Sequence, residues 1–62
     1  SEYIIVYVDS DYQYTIIGRT KRDYVWIMAR QPEIPQKRLE QFIQIIVEEG
    51  YDQNAIQLVP QQ

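Results

Sequence analysis

Apolar and polar residues follow a strand-like pattern through the first half of the chain, then change abruptly to helical spacing. Tyr3 to Val8 is a run of β-branched and aromatic residues bounded by Asp9-Ser10-Asp11, the composition of a strand closed by a turn. Short acidic side chains of this kind fold back onto the turn backbone. Tyr14 to Gly18 reads as a second strand, and its short connection to the first predicts an antiparallel hairpin. Arg19 to Asp23 is a polar turn, and Tyr24 to Arg30 is a third strand. Together these segments predict a three-stranded antiparallel meander.

The Gln31-Pro32-Glu33-Ile34-Pro35 segment stops the third strand, because proline cannot donate to a ladder. Pro35 suits the first turn of a helix, where a missing N–H costs nothing. From Gln36 to Glu49, residues Leu39, Phe42, Ile43, Ile46 and Val47 fall at i, i+3, i+4, i+7 and i+8, the stripe of an amphipathic helix. Ile45 broadens it. Gly50 is placed to end the helix in a left-handed conformation, with Tyr51 packing back on Ile46. Ala55 to Val59 reads as a short last strand, and Pro60 ends it. The fold class is α+β, mainly β, in a single domain over residues 1–62.

The third strand has no polar face. Tyr24, Trp26 and Met28 point to one side, and Val25, Ile27 and Ala29 to the other. A strand apolar on both faces must be covered on both. In the first strand, Tyr3, Ile5 and Tyr7 form the bulky set. A tight turn around Asp11 places Tyr7 opposite Thr15 and Ile5 opposite Ile17. One face of the meander is then compact and branched, suited to the helix stripe. The other is aromatic with polar tips. Pattern alone leaves that face as ordinary core, or as the lining of a cavity, an interface or a barrel interior.

Length sharpens the question of what covers it. A chain of 62 residues buries only about 60% of its unfolded surface, so folding alone is marginal without disulfides, metal or oligomerisation. There is no cysteine and no histidine, which removes disulfides, thiolate sites and the commonest general base and metal ligand. Self-association is the staple that remains. Hydrophobic content of 45%, with 13% aromatic residues, argues for a globular chain.

A net charge of −3 argues against nucleic-acid binding, which needs a basic face. Arg19-Thr20-Lys21-Arg22 is better explained as a solvated turn. No apolar run approaches the ~20 residues of a membrane span. Ser1 leads directly into a strand pattern, so no signal peptide is expected in this chain and its localisation is left unassigned. Asp9, Asp11 and Asp23 could be drawn as a carboxylate cluster, but turns collect aspartate for local hydrogen bonds. No catalytic residue, cofactor or metal site is expected. Arg30, on the bulky side with Trp26 and Tyr24, is expected to stack on an aromatic ring or pair with a carboxylate, the carboxylate head group of a ligand being the weaker alternative.

Asp9-Ser10-Asp11-Tyr12-Gln13-Tyr14, then Arg22-Asp23-Tyr24-Val25-Trp26-Ile27-Met28-Ala29-Arg30-Gln31-Pro32, resembles the C-terminal third of a lipocalin. It is most similar to the bacterial outer-membrane lipocalins related to apolipoprotein D. Glu49-Gly50-Tyr51-Asp52 after the helix fits the same group, so the resemblance runs from Tyr3 to Val59. It implies that Asp11-Tyr12 is the family's Asp-Tyr motif, and that Arg30 is the arginine that packs over a first-strand tryptophan. It implies a helix against the outside of a barrel, and a cavity facing Tyr3, Ile5, Tyr7, Ile17, Tyr24, Trp26 and Met28. The family binds small hydrophobic molecules there, and a cell-envelope location would follow from the bacterial members.

A lipocalin barrel has eight strands, while this sequence supplies three and a short fourth. The partner tryptophan of Arg30 and the lipid-anchoring cysteine are absent from it. Completion is therefore expected from a homodimer or higher oligomer, or from a missing N-terminal lipocalin segment. Two functions follow. The assembled chains could hold a fatty acid or lipid in a cavity. Alternatively, Tyr3, Ile5, Tyr7, Ile17, Tyr24, Trp26, Met28 and Arg30 could be an oligomer interface with no ligand.

Overall fold

A computed structural model describes residues 2–60. Strands β1 (Tyr3–Val8), β2 (Tyr14–Arg19) and β3 (Val25–Ala29) are followed by helix α1 (Gln36–Glu48), a 3-10 turn (Gln53–Ala55) and strand β4 (Ile56–Pro60). The strands form one sheet in the order β1-β2-β3-β4. The meander is present, with β1 against β2 and β2 against β3, both antiparallel. The last strand is a full member of the sheet. It pairs parallel with β3, Ile27 standing opposite Leu58, which α1 makes possible by carrying the chain back to the strand's starting end.

The turns are built as their side chains dictate. Asp9 Oδ1 accepts the backbone N–H groups of Gln13 and Tyr14 at 2.8 and 3.1 Å. Tyr12 takes a positive φ of 57° at the tip of that turn. Asp23 pairs with Arg19, Nε to Oδ1 at 3.2 Å, and Asp11 accepts from Ser10 Oγ at 3.4 Å. Asp9 and Asp23 are thus engaged in holding turns, as the aspartate-rich turn chemistry suggests.

The register of β1 differs from expectation in one place. Ile5 does face Ile17, but Tyr7 faces Ile16 and Val8 faces Thr15. Val6 is the extra residue of a β-bulge between Ile5 and Tyr7. A bulge reverses the side to which later residues point, so Tyr7 leaves the bulky face. Its ring lies 5.4 Å from that of Phe42 on the helix, and both Val6 and Tyr7 pack on the core.

That core is Ile16, Val25, Ile27, Phe42, Ile46 and Tyr51, all buried between sheet and helix. The helix closes as a Schellman ending: Tyr51 N–H donates to Ile46 O at 3.2 Å and Gly50 N–H to Val47 O at 3.0 Å. Gly50 has the positive φ, 99°, that this ending requires. Tyr51 then folds under the sheet, and its hydroxyl donates to Arg19 O at 2.9 Å. Gly18 makes room for it. A Cβ there would overlap Tyr51 Oη and Cζ.

The Arg19-Thr20-Lys21-Arg22 turn is more than solvated surface. Arg22 Nε donates to Glu49 O at 3.0 Å and its guanidinium lies over the Tyr51 ring at 5.1 Å. The turn is therefore tied to the helix C-terminus, where a cation meets the free carbonyls and the negative dipole end.

Candidate ligand-binding face

Helix α1 covers the sheet face that carries Ile16, Val25 and Ile27. The opposite face is left open. Ile17 stands opposite Trp26, and Thr15 opposite Met28, so cross-strand pairing sets these side chains together on it. Trp26 is central. The Tyr24 ring lies 6.0 Å away at an interplanar angle of 21°, and the Tyr3 ring 6.0 Å away at 45°. These distances fall in the range of favourable aromatic pairs. Ile5 at the β1 edge is 71% exposed, Tyr3 51% and Tyr24 46%, whereas Trp26, Ile17 and Met28 are half-buried by their neighbours.

Of the residues assigned to the bulky face, the structure brings together Tyr3, Ile5, Ile17, Tyr24, Trp26 and Met28. Tyr7 does not join them. Its hydroxyl instead stands 3.4 Å from Arg38 Nη2, and Arg38 spreads over the rings of Tyr14 and Phe42 at 5.3 and 5.0 Å. The bulge puts Val8 on the open face in its place, opposite Thr15. Gln57 and Val59 extend the face across β4, opposite Trp26 and Met28. No glycine or proline in β1 marks the bulge, so alternation alone could not find Val8. Pairing of β4 with β3 depends on the path of α1 and has no local signal.

Arg30 sits just past β3, at the end of the open face. Its N–H donates to Gln13 O at 3.1 Å, and its Nε donates to Tyr12 O at 2.7 Å. The expectation of an aromatic stack or a carboxylate partner is corrected: Arg30 is held by backbone carbonyls of the β1–β2 turn. A cleft of about 250 Å³ opens beside it, lined by Tyr12, Gln13, Thr15, Met28, Ala29 and Arg30.

An unclosed four-stranded mixed sheet, apolar on both faces and backed by one helix, is a partial lipocalin-like fold. The lipocalin-like domain family matches residues 1–61, and the chain belongs to that family. It is similar to temperature-induced lipocalin-1 of Arabidopsis thaliana, 37% identical over 60 residues, covering 97% of this chain and 32% of that protein. It is also similar to outer membrane lipoprotein Blc of Citrobacter freundii, 30% identical over 59 residues, covering 95% of this chain and 33% of the relative. The Blc protein of Vibrio cholerae is 30% identical over 61 residues, with 97% of this chain and 36% of the relative covered. The chain thus spans about a third of the length of the curated relatives it matches. No helix among the described residues is long and apolar enough to cross a membrane.

Proposed function

We propose that this chain supplies one wall of a cavity for a small hydrophobic ligand of the fatty-acid or lipid class. It acts as a binding protein and performs no catalysis. The observation that carries the reading is the uncovered apolar face, with Trp26 between Tyr3 and Tyr24 and flanked by Ile5, Ile17 and Met28. Membership of the lipocalin-like family supports binding of hydrophobic molecules in general. A four-stranded open sheet cannot enclose a ligand alone, and about eight strands are needed for a barrel with room for one small molecule. The remaining wall comes from further strands, either those of a longer lipocalin polypeptide or those of a second copy of this chain. Edge strands β1 and β4 are where they would join.

The chain has one tryptophan, which makes the test direct. Titrating the 62-residue chain with a fatty acid should shift Trp26 emission to the blue and saturate. Sedimentation velocity at micromolar concentration should give a mass above that of the monomer. An associated chain whose Trp26 emission ignores the fatty acid would instead mark the face as an interface without ligand.

A further inference from the structure

From the register of β1 we infer that Val8 sets how long a ligand the open face accepts, and that the bulge at Val6 is the device that puts it there. The inference rests on the binding reading above and adds the residue that determines length selectivity.

The bulge is enforced from both ends of β1. At the turn, Asp9 Oδ1 accepts the amides of Gln13 and Tyr14, and the Asp9 N–H donates to Tyr14 O at 3.3 Å. These bonds hold Val8 opposite Thr15. At the other end the Thr20 N–H donates to Glu2 O at 2.8 Å, which holds Tyr3 opposite Arg19. Between the two anchors β1 supplies six residues, Tyr3–Val8, against the partners Arg19, Gly18, Ile17, Ile16 and Thr15 on β2. One residue is in excess, so two neighbours turn to the same side. Val6 and Tyr7 both pack on the core. The Tyr7 ring lies against Phe42 at 5.4 Å and its hydroxyl accepts from Arg38 Nη2 at 3.4 Å, contacts that hold it on the helix side.

The consequence falls on the open face, whose side chains stand in cross-strand rows. One row runs Ile5, Ile17, Trp26, with the Tyr3 and Tyr24 rings against Trp26. The next row toward the turn runs Val8, Thr15, Met28, Val59. It contains no ring. Regular alternation stands a tyrosine opposite Thr15, whereas the bulge leaves a valine there, 47% exposed. The apolar surface therefore continues past Trp26 for one more row, about 7 Å at about 3.3 Å per residue. A hydrocarbon lying along the sheet extends over Val8, where a tyrosine ring would stop it.

The experiment titrates saturated fatty acids from octanoate to myristate, which share a head group, against the 62-residue chain and its Val8→Tyr, Val8→Ala and Tyr7→Phe variants, read by Trp26 fluorescence. Each added methylene should raise the affinity of the wild type about fourfold for as long as it is buried. In Val8→Tyr that gain should stop at a shorter chain, with myristate weakened by about tenfold or more and octanoate unchanged, which also controls for folding of the variant. Val8→Ala should move the limit toward longer chains. Tyr7→Phe, altered only on the helix side, should bind every length as the wild type does. A length limit that neither Val8 substitution moves, or a Val8→Tyr variant weakened equally at all lengths, would overturn Val8 as the length determinant while leaving the hydrophobic reading intact. Altered binding in Tyr7→Phe would overturn the role given to the bulge. Failure of the whole series to bind the wild type would remove both readings.

Discussion

Replacing Gly18 by alanine tests the closest contact in the core. Tyr51 is buried, its hydroxyl is bonded to Arg19 O at 2.9 Å, and its ring occupies the space above Gly18. A methyl group there overlaps Oη and Cζ and comes within 2.9 Å of Cε2. The ring cannot rotate away within a packed interior, so it must translate, and the hydroxyl bond is strained or lost. Overpacking of this kind costs roughly 1–3 kcal/mol, and a lost hydrogen bond about 0.5–1.5 kcal/mol. Removing a glycine from a strand returns about 0.5–1 kcal/mol. The net expectation is a destabilisation of about 1–3 kcal/mol, large for a domain of this size, whose total stability is on the order of 3–9 kcal/mol.

Urea unfolding, followed by far-ultraviolet circular dichroism, measures the change. The decisive comparison is Gly18→Ala in a Tyr51→Leu background. Leucine does not reach the hydroxyl position, so the added methyl should there be neutral or slightly stabilising. A thermodynamic cycle should give a coupling of at least about 1 kcal/mol, within the range seen for contacting residues. An alanine that is tolerated with Tyr51 intact, or equally harmful in both backgrounds, would refute the account of this contact.

Three further perturbations have defined outcomes. Asp9→Ala leaves the amides of Gln13 and Tyr14 without their acceptor and should cost about 1–3 kcal/mol, whereas Asp11→Ala, holding only a Ser10 contact, should cost little in the same urea assay. Gly50→Ala meets no steric obstacle beyond an ordinary contact with Arg22 Nε at 3.5 Å, but its φ of 99° strains any L residue, so a loss of about 1–2 kcal/mol is expected. Ile5→Thr, at a side chain 71% exposed, should leave the unfolding free energy of dilute chain within about 0.5 kcal/mol of wild type while weakening both association and fatty-acid binding.

Local chemistry carried most of the fold into view. The stripe of the helix is accurate at Phe42 and Ile46, which are buried, and at Leu39 and Ile43, which are half-buried. Val47, also on the stripe, remains 47% exposed. The Gly50-Tyr51 ending was readable because a Schellman motif needs only a glycine and a following apolar residue. Tyr7 was not readable, since one inserted residue in β1 reverses every later side chain. Nor were the roles of Arg22 and Tyr51, whose partners at Glu49 and Arg19 are far away in sequence. Six of the eight assigned site residues do share the open face: Ile17, Trp26 and Met28 because β2 and β3 keep regular alternation, Tyr3 and Ile5 because they precede the bulge in β1, and Tyr24 from the position just before β3. Arg30 lies beyond β3, and its placement depends on the Tyr12 carbonyl rather than on strand period.

The central claim is that the uncovered sheet face holds an apolar tail against Trp26. Contact quenching tests it most directly. Bromine on an acyl chain quenches indole emission only at close range, so 11-bromoundecanoate and undecanoate can be compared on the same 62-residue chain. The brominated ligand should quench Trp26 saturably, at the concentrations where the unbrominated ligand binds without quenching. Saturable binding of both ligands with Trp26 emission left unquenched would place the tail elsewhere and contradict the claim.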